Sequence, residues 1–127
     1  MVTRESFTFM CSTSPVSSED WLSGGRVEVT LEGLTFVRSK SAAETRGTKR
    51  VYDVEWPQIE RAELVIPALG RPILWVVVTG ADDSADAPDV RFAYKVKRRF
   101  VEPVRALVSE INQECEARRR WAHPDQT

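Results

Sequence analysis

Apolar and polar residues alternate along most of the first hundred positions. From Arg26 to Leu31, Val27, Val29 and Leu31 face one way while Arg26, Glu28 and Thr30 face the other, the period of a half-buried strand. The pattern resumes at Leu34 and Phe36 and runs to Arg38. Glu32-Gly33 between the two runs offers a residue tolerant of positive φ, which predicts a β-hairpin. Similar alternation predicts a first strand over Ser6 to Ser12, with Phe7, Phe9 and Cys11 on one face. Further strands follow at Val51 to Trp56, Ile59 to Ile66, Ile73 to Thr79 and Val90 to Val96. Pro57 has no N–H for a ladder and marks a bend. Thr13 to Gly25, Ser39 to Lys49, Pro67 to Pro72 and Gly80 to Asp89 have loop composition.

The period changes at Lys97. Phe100, Val104, Leu107, Val108, Ile111 and Cys115 recur at spacings of three and four, predicting one amphipathic helix to about Trp121. Pro103 falls in its first turn, where a missing N–H costs little. Arg118, Arg119 and Arg120 sit where they complement the helix dipole. The expected organisation is one domain over residues 1–121, with 122–127 a flexible tail.

Composition narrows the function class. The chain has 127 residues, 18 Lys plus Arg and 19 Asp plus Glu, a formal net charge of −1. A direct nucleic-acid binder usually carries a clear basic excess. The longest apolar run, Ile73 to Val78, is far short of the roughly 20 residues that span a bilayer. The first residues have no apolar stretch of signal-peptide length. Cys11 and Cys115 make no disulfide framework, so an intracellular location, cytoplasmic or nuclear, is expected.

Catalytic chemistry finds little to stand on. The one histidine, His123, is close to the C-terminal end, so no His base is placed beside a Ser or Cys nucleophile. Cys11, Cys115 and His123 are not spaced as metal ligands, and core packing is the plain role of both cysteines. Gly24-Gly25 leads into a strand, whereas a phosphate loop leads through Lys-Ser/Thr into a helix. Asp82 and Asp83 lie in a loop without apolar surroundings that would raise a pKa. The chain is therefore expected not to be an enzyme and to need no cofactor or metal.

Seven strands followed by one amphipathic helix is the order of elements in a pleckstrin-homology (PH) domain. Gly25-Arg26-Val27-Glu28-Val29-Thr30-Leu31-Glu32-Gly33-Leu34-Thr35-Phe36 resembles the second and third strands of PH and GRAM-type domains. Val54-Glu55-Trp56-Pro57-Gln58-Ile59 resembles the segment that follows, and Val90-Arg91-Phe92-Ala93-Tyr94 with the helix resembles the last strand and cap. The spacing is similar to short bacterial PH-like domains and to the N-terminal PH domain of the core subunit of transcription factor TFIIH. The resemblance spans roughly Ser6 to Arg120. It implies a mainly β fold, a seven-stranded antiparallel sandwich or barrel capped by a C-terminal helix. It implies a binding function, in transcription or DNA repair if the second group is the guide.

Lipid-binding PH domains hold phosphates with Lys and Arg on the first two strands and the loop between them. Here that loop, Thr13 to Gly25, has no basic residue and contains Glu19 and Asp20. Positive charge gathers instead at Arg46, Lys49 and Arg50, at Arg61 and Arg71, and at Lys95, Lys97, Arg98 and Arg99. The plain alternative for all of these is a solvated surface. In the transcription-factor group, basic side chains of the later strands dock acidic peptides, which implies such a role for Arg61 and Arg71. Ile73 to Val78 is apolar on both faces, so either the chain covers its outer face or Trp75 belongs to a strip for a partner or a second copy. Trp21 is either a loop anchor or a second aromatic contact.

Two readings result. In the first, a non-catalytic interaction module binds a protein or acidic peptide through Lys49, Arg50, Arg61, Arg71 and Trp75. In the second, a membrane-surface module reads anionic lipid through Arg46, Lys49, Arg50, Lys95, Lys97, Arg98 and Arg99, each worth about 1 kcal/mol near the surface. A homo-oligomer is a third arrangement.

Overall fold

A computed structural model describes residues 21–84 and 86–122. The chain is mainly β, with six strands in two antiparallel sheets and a C-terminal helix among these residues. The first sheet has the order β1 (Gly25–Val29), β2 (Gly33–Arg38), β3 (Val51–Glu55). The second has the order β4 (Ile59–Val65), β5 (Ile73–Val78), β6 (Ala93–Lys95). A short helix α1 (Lys40–Arg46) joins β2 to β3, and α2 (Val101–Ala122) closes the described chain. The strand expected at Ser6 to Ser12 and the tail beyond Ala122 lie outside the described residues.

The expected β1–β2 hairpin forms, with Val29 opposite Leu34, but β1 ends at Val29 and Leu31 is exposed in the turn rather than inward. Its glycine serves a different purpose from the expected one. Gly33 has no positive φ, but a Cβ there would stand 1.9 Å from the Val54 carbonyl oxygen. Hydrogen alone lets β2 approach β3 that closely. At Trp56–Gln58 the chain makes a 3-10 turn with Pro57 inside it, and it enters the second sheet at Ile59.

Three expectations need correction. Ser39 to Lys49 is not a loop throughout. Ser39 accepts a hydrogen bond from the Ala42 N–H as N-cap, and Gly47, at φ 67°, ends the helix in the left-handed conformation. Val90 to Val96 is not one strand. Asp89 accepts from the Arg91 N–H and pairs with its guanidinium, turning Val90–Phe92 into a 3-10 helix that leaves three residues for β6. The C-terminal α-helix begins at Val101 rather than Lys97, after a 3-10 turn at Arg98–Phe100. Six of the seven expected strands are present among the described residues, arranged in two three-stranded sheets, and the seventh is the one expected at Ser6 to Ser12.

The core lies between the sheets and under α2. Leu34, Phe36, Val54, Trp56, Leu74, Val76 and Tyr94 meet Val104, Leu107, Ile111 and Cys115 of the helical stripe. Phe36 stacks parallel to Tyr94 and edge-on to Phe92. The helix also finishes β4, whose free edge would otherwise leave main-chain groups unpaired. The Asn112 amide accepts from Ala62 N–H at 2.8 Å and donates to Ala62 C=O at 3.0 Å, as a neighbouring strand would. Arg119 donates to the carbonyls of Ile59 and Glu60. Arg118 pairs with buried Glu114 at 2.6 Å, lies over Trp56, and donates to Leu31 C=O at the hairpin tip.

Candidate functional site

The chain enters β1 through a segment that ties the two sheets together. Leu22 bridges Val96, Ser23 N–H donates to Lys95 C=O, and Lys97 N–H donates to Trp21 C=O. Trp21 also packs against Phe100, so it is held against the fold. Gly25 then passes so close to β2 that a Cβ would lie 2.1 Å from the Val37 carbonyl oxygen. This crossing forms one wall of a cleft of about 460 Å³.

Among the described residues, the charged side chains lining that cleft are all cations. They are Arg26, Arg38, Arg50 and Lys97, beside the Ser23–Gly25 backbone. Arg26 is paired with Glu28 at 2.6 Å. Arg50 donates from Nε to Arg38 C=O at 3.3 Å. Arg71 reaches the same segment from the β4–β5 turn, donating to Ser23 Oγ at 3.0 Å. Arg98 in turn holds that turn through Gly70 C=O at 2.9 Å. Among the described residues, no ion pair engages Arg50, Arg71, Lys97 or Arg98.

Arg38 is 0% exposed and has no carboxylate partner among the described residues. Its Nη2 donates to the carbonyls of Val90 and Ala93, and its guanidinium lies 3.9 Å from the Tyr94 ring centroid. Its Nε and Nη1 find no acceptor. Burial lowers its pKa from the usual arginine value, yet arginine stays protonated in proteins. A positive charge in low dielectric is poorly screened and raises the potential of nearby surface. Burial also pushes the Tyr94 hydroxyl up to about 12, and that hydroxyl donates to Val37 C=O at 3.2 Å.

The residues singled out in the sequence separate into groups. Arg50 and Arg71 from the peptide set meet Lys97 and Arg98 from the lipid set at this cationic end. Lys49 lies over Tyr52, and Arg46 ends α1. Lys95 is exposed on β6, and Arg99 lies over Phe100. Arg61 and Trp75 are together on the outer face of the second sheet, 5.9 Å from guanidinium to ring centroid. Trp75 is no exposed contact strip, however: it is only 3% exposed. Arg61 is already engaged by Glu63 at 2.5 Å and lies 3.9 Å from Glu60. It therefore offers little net charge to an acidic ligand.

Sequence reading missed Arg38. The signal was present, because Leu34, Phe36 and Arg38 share one parity and point to the same inward face. No group of three His, Cys, Asp or Glu side chains among the described residues could hold a metal ion, and Cys115 is a buried thiol whose pKa burial raises. No helix among the described residues is long and apolar enough to cross a membrane. Compared with protein-family models, curated proteins and solved structures, the chain matches none.

Proposed function

We propose that this chain is a non-catalytic, PH-like interaction module that binds an acidic peptide segment of a protein partner at the cationic end. The observation that carries the reading is the convergence of Arg50 and Lys97, 47 positions apart in sequence, on a cleft lined by no carboxylate among the described residues. Carboxylates of a partner would meet Arg50 and Lys97, which no ion pair among the described residues engages. Arg71 and Arg98 extend the field along the β4–β5 turn. The site replaces the face built on Arg61 and Trp75, where internal carboxylates already occupy the arginine.

The test is fluorescence anisotropy with a labelled peptide rich in Asp and Glu, titrated with wild type and with an Arg50→Glu, Lys97→Glu double variant. Rim charges are worth about 1 kcal/mol each, so reversing two should weaken binding by tenfold or more. Equal affinity for the two proteins would overturn the assignment.

A second reading rests on Leu69. It is 89% exposed at the tip of the β4–β5 turn, next to Gly70, which Arg98 holds, and Arg71. An apolar side chain among cations is suited to enter an anionic lipid surface. Sedimentation with vesicles of phosphatidylcholine, with and without phosphatidylserine, decides it. Serine-lipid-dependent pelleting that Leu69→Ser abolishes favours the membrane, and no pelleting removes it.

A further inference from the structure

On the outer face of the second sheet, the β5–β6 connection folds back beside β4. Gly80, Ala81, Asp83 and Ser84 line a groove of about 390 Å³ together with Glu60, Arg61 and Glu63 of β4 and Trp75 and Val77 of β5. Its sign is opposite to that of the cationic cleft. Three carboxylates, Glu60, Glu63 and Asp83, face one guanidinium, Arg61. Glu63 and Glu60 share that guanidinium, and Glu60 also accepts from Thr79 Oγ1 at 3.4 Å. Asp83 is left over. Its Oδ1 accepts from Asp89 N–H, while its Oδ2 is shielded from water and has no donor among the described residues.

The groove holds a second unmet group. Trp75 is buried, and its indole N–H has no acceptor among the described residues. A donor without an acceptor and a carboxylate oxygen without a donor, at the margins of one groove, each carry an unrecovered desolvation cost. A ligand meeting both must bring a cation or strong donor together with a carbonyl. A peptide with a Lys or Arg side chain brings both at once. Arg61, lying over the Trp75 ring between carboxylates, already shows the type of group this surface accommodates.

We propose that this groove is a second docking site, separate from the cationic cleft, for a basic peptide segment whose Lys or Arg side chain pairs with Asp83 and whose backbone carbonyl accepts from the Trp75 indole N–H. The probe is an acetylated, amidated Gly-Ser peptide carrying two arginines, titrated by calorimetry at low salt. Wild type should bind it, and Asp83→Asn, which keeps the oxygen that holds Asp89, should weaken binding at least fivefold. Asp86→Asn removes an equal charge from the same loop, at an exposed position outside the groove, and should leave binding unchanged. In parallel, the Trp75 indole N–H resonance, assigned with Trp75→Phe, should move downfield on titration. No binding to wild type, equal losses from Asp83→Asn and Asp86→Asn, or an unmoved Trp75 resonance would each overturn the proposal. Arg50→Glu, Lys97→Glu should bind the arginine peptide like wild type, which keeps this result independent of the cationic cleft.

Discussion

Replacing Asn112 with leucine should cost this fold far more than a helix-surface substitution normally does. Asparagine is a mediocre helix former, so on propensity alone leucine would gain a few tenths of a kcal/mol. Position 112 is nevertheless where α2 completes β4. The side-chain amide makes two hydrogen bonds to buried Ala62, at 2.8 and 3.0 Å, and leucine can make neither. Each main-chain group left without a partner costs about 1–3 kcal/mol, so for two groups and after the propensity gain the net loss is about 1.5–5.5 kcal/mol. That is a large part of the roughly 5–15 kcal/mol that holds a domain of this size together. Urea unfolding followed by tryptophan fluorescence measures it. With a slope near the middle of about 1–3 kcal/mol/M, the midpoint should fall by roughly 1–3 M at unchanged slope. Gln113→Leu is the matched control, since Gln113 is exposed and bonds only to Ser109 one turn earlier. A loss below about 0.5 kcal/mol for Asn112→Leu, or one equal to that of Gln113→Leu, would refute the edge-completion argument.

Other outcomes follow from the same geometry. Gly33→Ala would drive a Cβ into the Val54 carbonyl oxygen, and backbone overpacking of that kind should destabilise by about 3 kcal/mol, read as a drop in melting temperature. Tyr94, with its folded pKa raised to about 12 from 10.0, contributes stability that is complete below pH 10 and lost as pH rises through about 12. The amount is on the order of 2 kcal/mol, and in alkaline unfolding Tyr94→Phe should lack that component while wild type shows it. Arg61→Ala should leave acidic-peptide affinity within twofold of wild type, because Glu60 and Glu63 already neutralise that guanidinium; a tenfold loss in the anisotropy assay would return the site to the outer face.

Legibility in the sequence followed the strength of local pattern. The β1–β2 hairpin and the stripe Val104, Leu107, Ile111 and Cys115 were readable because each repeats a period over several residues. Helix α1 was not, because its seven residues bury only Ala43 and no apolar face announces them. Its end signals, Ser39 and Gly47, were visible but resembled loop composition. The break at Val90–Phe92 depends on Asp89 choosing Arg91 as partner, which a two-residue alternation hides. The double-sided apolarity of Ile73 to Val78 left a covered outer face and an exposed strip both open, and the burial of Trp75 and Val77 favours the covered face. The cationic end was legible as charges but not as a place. Arg50, Arg71 and Lys97 belong to three separate connections, and only the crossing at Leu22–Gly25 brings them together.

The central claim is that this crossing forms the binding site for acidic ligands. Titrating the ¹⁵N-labelled chain with an Asp/Glu-rich peptide, and following each backbone amide, tests it most directly. The account predicts the largest shift changes at Ser23, Gly24, Gly25, Arg50 and Lys97, attenuated by added salt. Changes centred on Arg61, Trp75 and Gly80 to Ser84 instead, or no saturable change, would contradict it.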